Sequence, residues 1–276
     1  MEFSQIAAIA GKEFWDRIRN RWVLAVALVF TAFALSIAYF GAAQQGTVGF
    51  RSIEVTIASL VSLVIYLIPL IALVLGFDAI VGERERGSLD LLLSMPITRL
   101  ELLLGKYLGL AGALTFSTVA GFGLVGVVLS AQLDLNALFH YVGFMLSSVL
   151  LGCAFLSLAV MLSVFAADRT RASGLAIAMW FFFVLIFDLL LLGVLVVTAG
   201  QWGGEALPYL LLLNPADVFR ILNIFSLEDV RTLYGLATVF PPALAQPWLL
   251  GLVMAGWIVV PLAVAAWRFR LGAGRA

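Results

Sequence analysis

Residues 82–106 read GERERGSLDLLLSMPITRLELLLGK, a charged, punctuated segment set between two strongly apolar stretches. It opens on four alternating charges, Glu83, Arg84, Glu85 and Arg86, followed by Gly87. Ser88 stands where it can cap a short helix whose first turn carries Asp90, the sign of charge that a helix start favours. That helix must stop by Met95, because Pro96 disfavours helical geometry in the residue before it. Thr98 and Glu101 follow at capping-box spacing and start the next helix. The expectation is a short, isolated helix over 88–95 with Leu89, Leu92 and Leu93 along it. Between a charged elbow and a proline stop, such a helix is shaped to press into a groove on a partner.

Outward from this segment the chain is greasy. Of its 276 residues 63% are hydrophobic and only 12% charged, against roughly 25% charged in a soluble domain. Apolar runs of spanning length occupy 22–43, 57–81, 102–131, 138–167, 173–199 and 248–267. At about 1.5 Å per residue each covers a hydrocarbon core of about 30 Å. They must be helical, because lipid offers no partner for an unpaired backbone group and no alternating pattern suggests a barrel. The fold class expected is all-α integral membrane, one transmembrane domain over 1–276 with six spans.

Lys and Arg set the orientation. Thirteen of the sixteen, namely Lys12, Arg17, Arg19, Arg21, Arg84, Arg86, Arg99, Lys106, Arg169, Arg171, Arg268, Arg270 and Arg275, fall on one set of segments. Arg51, Arg220 and Arg231 fall on the other. The positive-inside rule places the first set, and both chain ends, in the cytoplasm. The start does not read as a cleaved signal peptide, since the apolar run after Arg21 is too long for one.

Three further stretches lie outside the spans. Over 3–21, Ile6, Ile9, Ala10, Phe14 and Ile18 recur at helical spacing with charges around them, which reads as an interfacial helix or simply a positive-inside anchor. The connection 200–247 is long and mixed in character: Trp202, Tyr209, Phe219, Phe225 and Tyr234 alternate with Pro215, Asp217 and Arg220. A seventh span is excluded by those interruptions, and short amphipathic helices on the outer face are expected, capping a path or binding an external partner. The turn Asp168–Ser173 reads as a basic hairpin connection or a second, weaker contact.

Resident chemistry is missing. Gly105-Lys106 lacks the first glycine and the Ser or Thr of a phosphate-binding loop, and no metalloprotease or nucleophile-elbow motif occurs. With one cysteine, Cys153, there is no disulfide framework, and the zero net charge gives no basic field for nucleic acid. His140 reads as an interfacial polar residue. Met145, Cys153 and Met161 are spaced about 12 Å apart, too far to share an ion, so no metal site is expected. Asp78 is near enough to the inner end to be solvated. Asp188 reads as lying near the middle of the fifth span, either protonated and hydrogen-bonded or lining a wet path, with no basic residue at its depth.

Six spans, a leading interfacial helix and the pattern ERExGSLDxLLSxPITR at 83–99 resemble the permease subunits of ABC exporters of the polysaccharide and drug export class. Within that class, the long outer loop and the overall sequence are similar to permeases encoded with nitrous oxide reductase maturation genes. The resemblance implies a non-catalytic, multi-pass subunit of the bacterial inner membrane, paired with a second copy of itself. A cytoplasmic ATPase subunit, holding ATP and Mg on its own residues, would dock on a coupling helix at 88–95, with Glu83, Arg84, Glu85 and Arg86 making charged contacts and Leu89, Leu92 and Leu93 filling its groove. A periplasmic β-helical protein would bind Trp202, Tyr209, Asp217, Phe219, Arg220, Phe225 and Tyr234. The cargo implied is a copper or sulfur species. An ABC permease for a lipid, peptide or ion is the alternative; a factor that only transmits shape change, or an ATP-independent secondary transporter, is further off, the last because no internal repeat is visible.

Overall fold

The computed structural model describes residues 2–19, 22–40, 53–130, 135–197, 206–225, 241, 244 and 246–271. Every regular element among them is helical: α1 (Phe3–Arg19), α2 (Trp22–Phe40), α3 (Ile53–Gly76), α4 (Val81–Glu85), α5 (Ser88–Ser94), α6 (Arg99–Ser130), α7 (Leu135–Phe165), α8 (Arg169–Phe181), α9 (Phe187–Val197), α10 (Leu207–Leu211), α11 (Pro215–Phe225) and α12 (Pro247–Leu271). A π-helical turn, Phe182–Ile186, joins α8 to α9.

Five stretches are long and apolar enough to cross a membrane: Ser59–Glu85, Arg99–Val127, Leu138–Phe165, Arg169–Val197 and Pro247–Leu271. The remaining expected span falls on α2, whose described apolar stretch is the shorter Ala27–Ile37. At the centre stands α7, packed against α3, α6, α8, α11 and α12. Its Tyr141, Phe144 and Phe155 are fully buried. Its serines satisfy themselves locally, as Ser148 does by donating to the Phe144 carbonyl at 2.7 Å. By contrast α9 is mostly exposed.

Two contacts show that the chain's described ends meet at one end of the bundle. The Glu2 backbone N–H donates to Glu101 Oε1 at 2.7 Å, and Arg99 Nη1 donates to the Phe269 carbonyl at 3.0 Å. Both acceptors and donors cluster at the start of α6. This is also the basic end, since Arg84, Arg86, Lys106, Arg169 and Arg268 belong to elements that converge there.

The leading helix uses its apolar stripe on protein. Ile6, Ile9, Ala10 and Phe14 face α6, and the approach is close. A Cβ at Gly105 would stand 2.7 Å from Ile9 Cβ, and one at Gly109 2.6 Å from the Ala10 carbonyl oxygen. Phe3 and Trp15 point away and are exposed.

The long connection expected on the outer face departs from that expectation. Rather than lying on the outside, α11 is inserted among α3, α7 and α12, with Ala216, Val218 and Phe219 essentially inaccessible. The turn before it reaches deep: Asn214 Nδ2 donates to the Phe183 carbonyl at 2.8 Å, and the Phe183 ring packs edge-on against Phe155 of α7 at 5.8 Å and Trp257 of α12 at 5.5 Å. Phe155 is ten residues, or about 15 Å, from the basic end of α7, so the α10–α11 turn dips to mid-bundle and α11 runs back outward. Such a turn survives at that depth only with its polar groups satisfied. Asn214 does this, its Oδ1 accepting from the Ala216 N–H at 3.0 Å while Pro215 needs no partner at the first helical position.

Candidate functional site

The segment 82–106 builds an elbow at the basic end. After α3 the chain breaks, and the freed N–H groups of Ile80 and Val81 donate to the buried Ser163 hydroxyl of α7 at 2.9 and 3.0 Å. One turn of α4 follows. Gly87 then adopts φ +71°, a left-handed conformation that an L side chain resists. With only Arg86 and Gly87 between α4 and α5 there is no room for an extended cap. The hydroxyl of Ser88, expected to cap α5, instead donates back to the Glu83 carboxylate and carbonyl. The capping box forms as expected: Glu101 N–H donates to Thr98 Oγ1 at 3.2 Å and Thr98 N–H to Glu101 Oε2 at 2.7 Å.

The elbow's charges are mostly spent inside the chain. Lys106, almost wholly buried, bridges Glu83 of α4 at 2.9 Å and Glu13 of α1 at 3.2 Å. Arg84 donates to carbonyls at and just past the end of α7, Val164 at 3.3 Å and Ala166 at 2.9 Å. Glu85 accepts the Arg169 N–H at 2.8 Å, and Arg169 in turn pairs with Asp78 at 2.7 Å, so Asp78 is ion-paired where solvation was expected. Asp168 caps α8, accepting from the Arg171 N–H at 2.8 Å. The short turn at 168–173 is thus a structural clamp on the elbow. Glu83, Arg84 and Glu85 tie α4 to α6, α7 and α8, whereas Arg86, its side chain 58% exposed, reaches only the Gly82 carbonyl and Glu83 of its own helix.

The face of α5 is also reversed from expectation. Leu89 is 8% exposed and Leu92 and Leu93 are partly buried against the core, so the three turn towards the bundle. The outward face carries Asp90, Leu91, Ser94 and Met95, with Pro96 beside them; Leu91 is 69% and Met95 56% exposed. Leu91 and Met95 thus form an exposed apolar pair on the elbow, and its i,i+4 spacing was readable in the sequence.

The description "ABC-2 family transporter protein" belongs to a family model that matches residues 7–271. The chain is a member of that family. Two permeases are similar to it over nearly their full lengths. One, a probable ABC transporter permease protein NosY from Pseudomonas aeruginosa, is 46% identical over 95% of this chain and 96% of that one. The other, of the same name, from Stutzerimonas stutzeri, is 44% identical over 97% and 98%. With its apolar helices, this makes the chain a multi-pass membrane protein of the ABC permease kind.

The outer residues expected to bind a partner divide differently in this ABC-2 fold. Tyr209 is exposed, as is Leu213. Trp202 and Tyr234 lie outside the described residues, as does the side chain of Phe225. Phe219 and Asp217 are buried in the bundle. Arg220 joins Asp217 at 2.5 Å to Asp188 at 3.2 Å, which corrects the expectation that no basic residue shares the depth of Asp188. Counting from Arg169, Asp188 stands about 28 Å along a span that ends at Val197, a little past its middle. Burial raises the Asp217 carboxyl pKa, the Asp188 charge adds to the rise, and Arg220 opposes it. The Phe183 carbonyl that accepts from Asn214 lies within the π turn, and the residue pair Ser147–Asn223, at 3.0 Å, ties α11 to α7. His140 lines a mostly apolar cavity of ≈400 Å³ with Phe139, Phe144, Leu222 and Asn223.

Proposed function

We propose that the chain is the membrane subunit of an ATP-driven ABC transporter, crossing the bacterial inner membrane six times with both ends in the cytoplasm. The observation that carries this reading is the exposed Leu91–Met95 pair on an elbow clamped to α6, α7 and α8. An ATPase subunit, which binds ATP and Mg on its own residues, seats this knob, with Arg86 and Asp90 as charged flanks. Movement of the ATPase then passes through Glu83–Lys106 into α6 and α1, and through Arg84 and Arg169 into the α7–α8 turn. Two copies of the permease act with two ATPase subunits, and this chain performs no catalysis.

On the outer side, the re-entrant α10–α11 unit converts bundle motion into movement of an outer surface that carries Tyr209 and Leu213. A periplasmic β-helical partner fits that surface. The similarity to permeases encoded with nitrous oxide reductase maturation genes supports a role in assembling that enzyme's copper centres, with a copper or sulfur species as cargo or as the beneficiary of the motion. Deleting this chain's gene should leave the reductase expressed but poor in copper, read as metal content and visible absorption of the purified enzyme. A fully copper-loaded reductase from the deletion strain would contradict the role.

A further inference from the structure

At the basic end, where α7 and α12 finish, Phe165, Trp267, Arg268 and Leu271 line a groove of ≈510 Å³. Arg268 sits over the Phe165 ring, its guanidinium carbon 5.9 Å from the centroid. The other cations packed against the bundle at this end are neutralised internally. Arg17 pairs with Glu13, Lys106 with Glu13 and Glu83, and Arg169 with Asp78, while Arg84 and Arg99 donate to helix carbonyls. Lys12, Arg19 and Arg270 are exposed. Arg268 is different: it is half-buried, and among the described residues no carboxylate or carbonyl meets it.

The groove continues into an outward apolar stripe. Val259, Val260, Trp267 and Leu271 are all exposed and fall within about a third of the α12 circumference at 100° per residue. One leaflet's hydrocarbon is about 15 Å deep, the length of about ten helical residues, which is the distance from Arg268 back to Val259. A tryptophan at the level of an unpaired arginine marks the water–lipid boundary, where indole rings concentrate. Basic pockets between helices on the cytoplasmic side hold lipid head groups.

We propose that this groove seats an anionic phospholipid of the inner leaflet. Its phosphate meets Arg268, and one acyl chain follows Trp267 towards Val260 and Val259. Charge complementarity selects the occupant: an ATPase surface would have its knob on α5, and a second copy would need no anion opposite Arg268.

Native mass spectrometry of the full-length chain tests this. The chain is offered equal amounts of palmitoyl-oleoyl phosphatidylglycerol and palmitoyl-oleoyl phosphatidylcholine in mild detergent. The wild type should retain the anionic lipid preferentially, and Arg268→Gln should lower that preference about fivefold. Arg270→Gln, which removes an exposed charge two residues on, should leave it unchanged, and Arg268→Lys should keep most of it. Equal retention of both lipids by the wild type overturns the proposal, as does an equal loss in the Arg270 variant, which would mean diffuse surface charge. So does an Arg268→Gln variant that loses dimer or ATPase partner while its lipid preference stands. Should that variant not fold, a phosphatidylglycerol with a photoreactive acyl chain reads the wild type directly. It should label peptides spanning 259–271; labelling confined to other helices overturns the seat.

Discussion

Replacing Lys106 with methionine should destabilise the basic end severely while leaving the docking knob in place. The ammonium is buried between Glu13 at 3.2 Å and Glu83 at 2.9 Å. Without it, two carboxylates of low exposure face each other with no cation between them. Removing one partner of a buried ion cluster costs about 3–5 kcal/mol, since the surviving charges keep their desolvation penalty and lose their compensation. The loss is local to the junction of α1, α4 and α6, so ATPase recruitment through Leu91 and Met95 should persist while hydrolysis no longer responds to the permease. Thermal unfolding in nanodiscs and ATPase rates of the copurified complex check both halves. Adding Glu13→Gln and Glu83→Gln to the methionine variant should restore much of the stability, because neutral groups need no counter-charge. A lysine variant with unchanged unfolding would show that the node is ornamental.

Leu91→Glu together with Met95→Glu should have the opposite signature: a stable permease that no longer holds its ATPase. Both side chains are more than half exposed, and surface substitutions away from special features alter stability by only about 0.5 kcal/mol. In a complex each side chain would be buried, worth about 1.5–3 kcal/mol. Losing both and desolvating two carboxylates weakens binding by at least about 3 kcal/mol, on the order of a hundredfold or more in Kd. Copurification with the ATPase subunit at matched expression measures it. The double variant at Leu89 and Leu92 would instead damage the fold, because those residues pack on the core.

The contrast between these variants marks where sequence reasoning stops. The short helix was legible to within a residue from Ser88, Asp90 and Pro96, because turn and stop chemistry is local, although Gly87 and not Ser88 stands at its cap. Which of its faces docks was not. Leucines at 89, 91, 92 and 93 make the helix apolar nearly all round, and only the position of α6 and α7 decides which of them is left outside. Lys106 read as one more basic residue in the cytoplasmic set, although it lies about two turns inside α6 and is buried by two other elements. The start of α11 was readable in Asn214-Pro215-Ala216-Asp217, a cap, a proline at the first turn and an acid behind it. Its depth was not, since Asp217, Arg220 and Asn223 at three-residue spacing resemble the wet side of a surface helix. Their burial makes sense only with Asp188 and Ser147 opposite, on helices distant in the chain. The π turn that contains Phe183 has no local sequence signature at all.

The central claim, that Leu91 and Met95 form the face seated in the ATPase subunit, is tested most directly by site-specific cross-linking. In a Cys153→Ser background, single cysteines at Leu91 and at Leu89 would be treated with a short thiol-reactive, photoactivatable reagent in membranes carrying both subunits. The account predicts a permease–ATPase adduct from position 91 and none above background from position 89. Adducts from position 89 with none from position 91 would contradict it.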